Sequence, residues 1–166
     1  WTRAQDPTKT ILQKQTNIQQ LINNCAHLLE SNAQNKGISI TINIDGKINA
    51  FCDEVTIHTV FRNLISNAIK FTKNDGTISI EGKQSEDTIS IKVQDSGIGM
   101  SAEAIENIFE KNQHFTSTGT ANESGTGLGL MLVKDFVRMN KGSIRVESTI
   151  GAGTIFTVEL PVYKPL

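Results

Sequence analysis

Cysteine is scarce: Cys25 and Cys52 are the only thiols in 166 residues, with no CxxC pair and no histidine pair nearby. That excludes a disulfide framework and a structural zinc site, and leaves buried, reduced thiols in a cytoplasmic setting. Long hydrophobic runs are also missing; nothing approaches the ~18 consecutive apolar residues that span a membrane. Neither sign of charge is in excess, with 16 Lys and Arg against 17 Asp and Glu and a net charge of −1. No electrostatic argument therefore favours a nucleic-acid partner. There is no signal peptide and no internal repeat, and the chain opens on Trp1, as expected of a piece of something longer. What remains is an ordinary globular composition, 37% hydrophobic and 20% charged. The length suits one domain that buries roughly 70% of its unfolded surface.

Apolar spacing organises the chain. Residues 1–15 are polar and read as the end of a helix. Ile18, Leu21, Ile22, Cys25, Leu28 and Leu29 then fall at helical spacing, with Gly37 as a stop. Ile38, Ile40, Ile42 and Ile44 alternate strictly and predict a half-buried strand. Asp53 is a good N-cap for a second helix that runs to about Phe71. Thr77–Lys83 and Thr88–Asp95 read as strands, and a short helix is expected over 101–109. Residues 116–125, TSTGTANESG, have almost nothing apolar to bury, which predicts a loop that is mobile until a ligand orders it. The nearly all-apolar stretch Leu130–Met139 predicts a helix buried on most sides. Ser143–Ser148 and Thr154–Leu160 are expected to pair as a hairpin turned by Gly-Ala-Gly at 151–153. Strands and helices mix without regular βαβ alternation. The predicted class is therefore α+β: a two-layer sandwich, its mixed, mostly antiparallel sheet carrying helices on one face.

Three stretches carry chemistry, each with a plainer reading beside it. At about 100° per residue, Asn63, Asn67 and Lys70 share one stripe of the second helix, opposite Phe61, Leu64, Ile65 and Ala68. The stripe is either a solvated face or a ligand surface. Asparagine is a mediocre helix former, yet its carbonyl oxygen suits a hard cation such as Mg²⁺, and lysine neutralises phosphate. In TISIKVQDSGIGM, Asp95 continues the face of Ile89, Ile91 and Val93. Either the strand ends at Gln94 and Asp95 caps a turn, or a carboxylate points into apolar surroundings. In the second case it could accept hydrogen bonds from an amine such as adenine N6 and disfavour guanine, with Gly97 and Gly99 letting a flat ring approach the backbone. In SGTGLGLML, Gly125, Gly127 and Gly129 suit neither helix nor strand. They form a flexible loop or a close approach to phosphate where a helix begins. The Walker A loop needs a Gly-Lys-Ser/Thr ending that is absent here, and the dinucleotide fingerprint should follow a strand rather than the polar TANES.

In order and spacing these segments resemble the catalytic, ATP-binding domain of sensor histidine kinases, of the superfamily shared with gyrase and mismatch-repair ATPases. NLISNAIKFT is similar to the N box, DSGIGM to the first glycine box and GTGLGL to the second. IFEKNQHFTSTGT is similar to the phenylalanine-containing segment and ATP lid, and GAGTIF to the third glycine motif. The resemblance covers roughly residues 17–162, and WTRAQ is similar to the last turn of a dimerisation helix. It implies a boundary between residues 1–16, the end of that helix and its linker, and a catalytic domain over 17–166. It implies that Asn67 holds Mg²⁺ with Asn63 beside it, that Lys70 lies near the phosphates, and that Phe71 and Thr154 belong to the nucleotide site. Asp95 would read adenine, Gly97, Ile98, Gly99 and Met100 would line the base, and Gly125, Thr126, Gly127, Leu128, Gly129 and Leu130 would cradle phosphates. The implied cofactors are ATP and Mg²⁺. The implied partners are a dimerisation domain carrying the phosphoacceptor histidine and a response regulator receiver domain, with no contact to nucleic acid or membrane. A serine kinase of the anti-sigma-factor type and a catalytically silent nucleotide-binding module are the alternatives.

Two departures from the family pattern matter. Related ATPases carry a water-activating glutamate where Asn63 stands, and an amide cannot be a general base, so hydrolysis is expected to be slow. None of His27, His58 and His114 lies in a phosphoacceptor motif.

Overall fold

Alternation along several runs places every second side chain on one side of a sheet, and those apolar faces line up across five strands. The computed structural model describes residues 11–44, 47–109, 118–123 and 127–164. Its elements, in order, are β1 (Lys14–Asn17), α1 (Ile18–Leu28), α2 (Glu30–Asn35), β2 (Ser39–Ile44), β3 (Asn49–Cys52), α3 (Glu54–Phe71), β4 (Thr77–Gln84), β5 (Thr88–Asp95), α4 (Ala102–Asn107), α5 (Gly129–Met139), β6 (Ser143–Thr149) and β7 (Gly153–Pro161). The main sheet has the order β2-β4-β5-β7-β6. β2 and β4 pair in parallel and the remaining neighbours are antiparallel. Register sets Ile42, Ile80, Val93, Phe156 and Val146 in one row across the sheet. The next row runs Ile40, Ile78, Asp95, Thr154 and Ser148, turning polar halfway.

Helices α1, α3 and α5 cover the apolar face, which gives the two-layer α+β architecture expected from the sequence. The spine of the helical layer is α3. Ile57, Val60, Phe61, Leu64, Ile65, Ala68 and Ile69 are buried along one side of it, each large apolar side chain adding about 1.5–3 kcal/mol on leaving water. Asp53 caps it as read, its carboxylate accepting the Thr56 N–H at 2.9 Å.

Several local expectations are corrected. The helix expected to run from residue 17 towards Gly37 is two helices, broken at Leu29, which leaves helical geometry at φ −107° and ψ 4°. The break turns Leu29 into the core while Leu28, expected to be buried, is 64% exposed. α5 buries only Val133, Phe136 and Val137; Lys134 and Arg138 keep its other side in water. Residues 14–16, expected to belong to a linker, pair as β1 with β3. The Leu12 N–H donates to Asp53 Oδ2 at 2.9 Å and Lys14 pairs with Glu54 at 2.5 Å. A four-residue strand reading KQTN carries no hydrophobic alternation, so its sequence offered no sign of it. Trp1–Gln5, His114, Gly125 and Thr126 lie outside the described residues, as does the lid segment except for 118–123.

The helical layer is pinned to itself by one amide. Asn140 is fully buried just beyond α5; its Oδ1 accepts the Asp53 N–H at 2.6 Å, and its Nδ2 donates to Thr56 Oγ1 at 2.9 Å and Phe136 O at 2.8 Å. Asn140→Ala leaves the Asp53 N–H at the start of α3 without its acceptor and takes one donor each from the Thr56 hydroxyl and the Phe136 carbonyl. We expect a loss of about 2–3 kcal/mol in urea unfolding, the usual cost of orphaned buried polar groups. A loss below about 0.5 kcal/mol would show that the amide is not what joins these helices.

Candidate functional site

Between α3, α5 and the polar end of the sheet lies a cavity of about 640 Å³, a size suited to a nucleotide-scale ligand. Asn63, Asn67, Lys70 and Phe71 line it from α3. Asp95 and Thr154 do so from the sheet, and Ile98, Gly99 and Met100 from the segment after β5. Gly127, Gly129 and Leu130 line it where α5 begins. Twelve of the residues singled out from the sequence therefore meet in one space. Gly97 and Leu128 are not in its wall. Ser66, Ala68, Ser101, Ala104, Ile108, Ile150 and Phe156 complete the lining; Ser66, Ala68, Ile108 and Phe156 fall inside motifs quoted from the sequence without having been singled out as site residues.

Asp95 closes the deep end. β5 runs through it, so it shares the buried face of Ile91 and Val93 instead of capping a turn, and it is only 6% exposed. Burial pushes its carboxyl above the usual carboxylate range, partly opposed by two backbone donors. The Gly97 N–H at 2.8 Å and the Thr154 N–H at 3.2 Å both reach Oδ1. Oδ2 has no partner among the described residues, so one carboxylate oxygen remains to accept an N–H from a ligand. Ser148, which the sequence did not single out, braces this end: its hydroxyl shares a 2.8 Å hydrogen bond with Thr154 Oγ1 and receives the Met100 N–H at 2.9 Å.

The glycines of the first glycine box are pressed against the protein's own backbone. A Cβ on Gly97 would sit 2.5 Å from the Phe71 carbonyl oxygen. Gly99, at φ +68°, lies so close to the Thr149 carbonyl that any side chain there would overlap it. These contacts fasten the segment after β5 to the end of α3 on one side and to the β6–β7 turn on the other.

At the other end, Asn63 donates from Nδ2 to Thr59 O at 2.8 Å. Its Oδ1 is thereby turned towards α5, 2.9 Å from where a Cβ on Gly129 would be. One helical turn on, Asn67 is half-buried and its side chain engages no partner among the described residues. Lys70 Nζ rests 4.8 Å over the Phe71 ring. Among the described residues the N-terminus of α5 has no side-chain cap, and its first turn has no acid. Its first amide donors are left for an anion, and the helix dipole presents its positive end to the cavity. A carboxylate acceptor at one end and a lysine, two amides and an uncapped helix N-terminus at the other match a ligand with an amine-bearing base and an anionic tail. Among the described residues no cluster of three His, Cys, Asp or Glu could hold a metal by itself. A cation here would rest on Asn67 and the ligand's own oxygens, as Mg²⁺ with its few protein ligands does.

Comparison with known proteins points the same way. Residues 52–164 match the family model described as histidine kinase-, DNA gyrase B-, and HSP90-like ATPase. The chain is similar to the autoinducer 2 sensor kinase/phosphatase LuxQ of Vibrio parahaemolyticus serotype O3:K6 (strain RIMD 2210633). The two are 34% identical over 137 residues, which is 78% of this chain and 16% of the relative. The chain thus spans about a sixth of that relative's length. Among solved structures, a nucleotide-free catalytic domain of histidine kinase ThkA superposes with a TM-score of 0.80 at 27% identity, over 92% of this chain and 99% of that one. Full-length ShkA in complex with AMPPNP superposes with a TM-score of 0.80 at 25% identity, over 98% of this chain and 34% of that one.

Asp95 makes a prediction about stability. Its folded carboxyl holds a proton more tightly than the unfolded chain does. The penalty for its charge therefore sets in as pH rises from the unfolded value near 3.8 through the folded one, and is complete at neutral pH. Asp95→Asn removes that penalty while keeping an oxygen for Gly97 and Thr154. Ligand-free Asp95→Asn should melt higher than the parent at pH 7, by about 2–4 °C per kcal/mol recovered, with the gap closing towards acid pH. A lower melting temperature at pH 7, with a gap that does not change with pH, would contradict this.

Proposed function

The chain belongs to the histidine kinase-, DNA gyrase B-, and HSP90-like ATPase family, and from that premise we propose that it binds Mg²⁺-ATP and passes the γ-phosphoryl group to a histidine on a dimerisation domain outside these residues. Its relatives are sensor histidine kinases and its fold is that of a histidine kinase catalytic domain. The observation that carries the reading is the single cavity with Asp95 at one end and Asn63, Asn67, Lys70 and the uncapped start of α5 at the other. AMPPNP, the ligand of the similar ShkA, is an ATP analogue of the kind this cavity would take.

In this reading Asp95 accepts the adenine N6 amine through Oδ2, and Ile98, Met100, Ile108 and Phe156 supply apolar walls for the ring. Lys70 and the first amides of α5 hold the phosphates, with Gly127 and Leu130 around them. Asn67 offers its carbonyl oxygen to Mg²⁺, with Asn63 alongside. The metal, when bound, neutralises charge on the phosphate oxygens. Transfer breaks the bond between the γ-phosphorus and its bridging oxygen and makes a phosphorus–nitrogen bond to the incoming imidazole. Such a step needs chiefly alignment and charge neutralisation, which these residues supply. Asn63 has no basic atom to take a proton from water, and its amide is turned back to Thr59, so hydrolysis competes poorly. The partners that follow are the dimerisation domain and a response regulator receiver domain. Among the described residues no helix is long and apolar enough to cross a membrane; a cytoplasmic location is the reading that the use of ATP supports.

Labelled ATP tests the reading. Alone, the chain should bind ATP with little self-labelling and slow turnover. Given the dimerisation segment of its parent protein in trans, it should produce acid-labile phosphohistidine there. Asn67→Ala should abolish the transfer, and Asp95→Asn should weaken ADP binding by about 1–3 kcal/mol, the cost of mispairing a buried polar group. Acid-stable label on serine would point to a kinase of the anti-sigma-factor type. Tight binding without transfer would point to a silent nucleotide-binding module.

A further inference from the structure

One buried cation is left unused by the nucleotide motifs. Lys36 follows α2, far in sequence from every glycine box, and is only 8% exposed. Lysine is almost never buried to this degree unless paired, and Lys36 Nζ meets four acceptors: Ile69 O at 2.8 Å, Lys70 O at 3.2 Å, Thr120 Oγ1 at 2.6 Å and Glu123 Oε1 at 3.0 Å. The first two are carbonyls of the last turn of α3, where backbone acceptors are orphaned and the helix dipole is negative. The other two belong to residues 118–123.

That short segment is fastened down. The Thr120 N–H donates to Lys70 O at 3.0 Å and the Thr120 hydroxyl to Thr72 O at 2.8 Å. The Ala121 N–H donates to Glu123 Oε2 at 2.8 Å. Gly119 lies so close to Lys70 that a Cβ there would come within 2.6 Å of Lys70 Cγ. Lys36 is itself braced, its carbonyl accepting the Asp75 N–H at 2.9 Å. The sequence suggested a loop with nothing to hold it; polar side chains and a buried ammonium 84 and 87 residues away do the holding for this part of it. Lys70 is therefore gripped twice, at its carbonyl by Lys36 and Thr120 and along its stem by Gly119.

We propose that Lys36 is a positioning residue for phosphate recognition: its ammonium locks residues 119–123 onto the last turn of α3 and so sets the direction in which Lys70 enters the cavity. The inference rests on the reading of Lys70 as a phosphate ligand. Lys36 is absent from the cavity wall, so it acts through Lys70 and not by touching the nucleotide.

The test compares ADP with adenosine, both with Mg²⁺ present, by calorimetry and by NMR titration for the weaker ligand. Lys36→Met in the whole chain should lower ADP affinity about tenfold, leave adenosine affinity unchanged, and add nothing further on a Lys70→Met background. Equal losses for both ligands would mark Lys36 as a purely structural support and overturn the proposal, as would losses that add in the double variant. If Lys70→Met lowers ADP affinity and Lys36→Met does not, the positioning role alone falls. If Lys70→Met itself leaves the ADP to adenosine ratio unchanged, the phosphate reading of Lys70 falls and the inference with it. Glu123→Ala keeps the cap on α3 and loosens only the 119–123 segment, so it serves if Lys36→Met does not fold. An ADP-selective loss of about threefold is expected from it, and no selective loss would overturn the proposal.

Discussion

A carboxylate set in an apolar sheet face must be hydrogen-bonded or give up its charge, and one end of the cavity is arranged around that demand at Asp95. Two backbone N–H groups satisfy one oxygen, and each comes from a different segment: Gly97 just beyond β5, and Thr154 on the neighbouring β7. For both to arrive, the chain must turn sharply after Asp95 and press against the Phe71 carbonyl, which only a glycine at 97 permits. The hairpin end must also lie flush, with Ser148 joined to Thr154 and Met100. The glycine-rich stretch after β5 is thus first a solution to packing around a buried charge. Its oxygen left unsatisfied is what makes the place a site.

α3 joins that end of the cavity to the other. One side of it is anchored in the core by Phe61, Leu64, Ile65 and Ala68, which fixes the direction of the opposite stripe. Asn63, Asn67 and Lys70 then project into the cavity over about 10 Å of helix. At its start Asp53, Thr56 and Asn140 tie it to α5. At its end Lys36 and Thr120 take up the carbonyls that the helix leaves open.

Periodicity made the main sheet, α3 and the hairpin legible, because burial on one face imposes a pattern on the residues themselves. It also placed Asp95 in phase with Ile91 and Val93. What stayed hidden was whatever depends on register or on polar anchoring. β1 is short and polar, so nothing in KQTN announces its pairing with β3. Ser148 matters because it falls in the row of Asp95 and Thr154, and row membership is not written along a single strand. Lys36 reads as a surface charge beside Gly37 until the last turn of α3 is brought against it. The apolar run over 130–139 misled in the other direction, since residue type alone overstated how much of α5 the core could cover.

The pairing of Asp95 with Thr154 spans 59 residues, and this has a bearing on synthesis. A nascent chain that has emerged only as far as β6 already holds Asn63, Asn67, Lys70 and both of the earlier glycine boxes, yet Asp95 lacks one of its two partner strands and one of its two donors. Domains gather their non-local strand pairs late. The Asp95 end of the cavity is therefore finished only once β7 is in place. On the ribosome, a ligand can select only a chain that already includes β7, and a copy truncated before residue 154 keeps most of the recognisable sequence without the finished cavity.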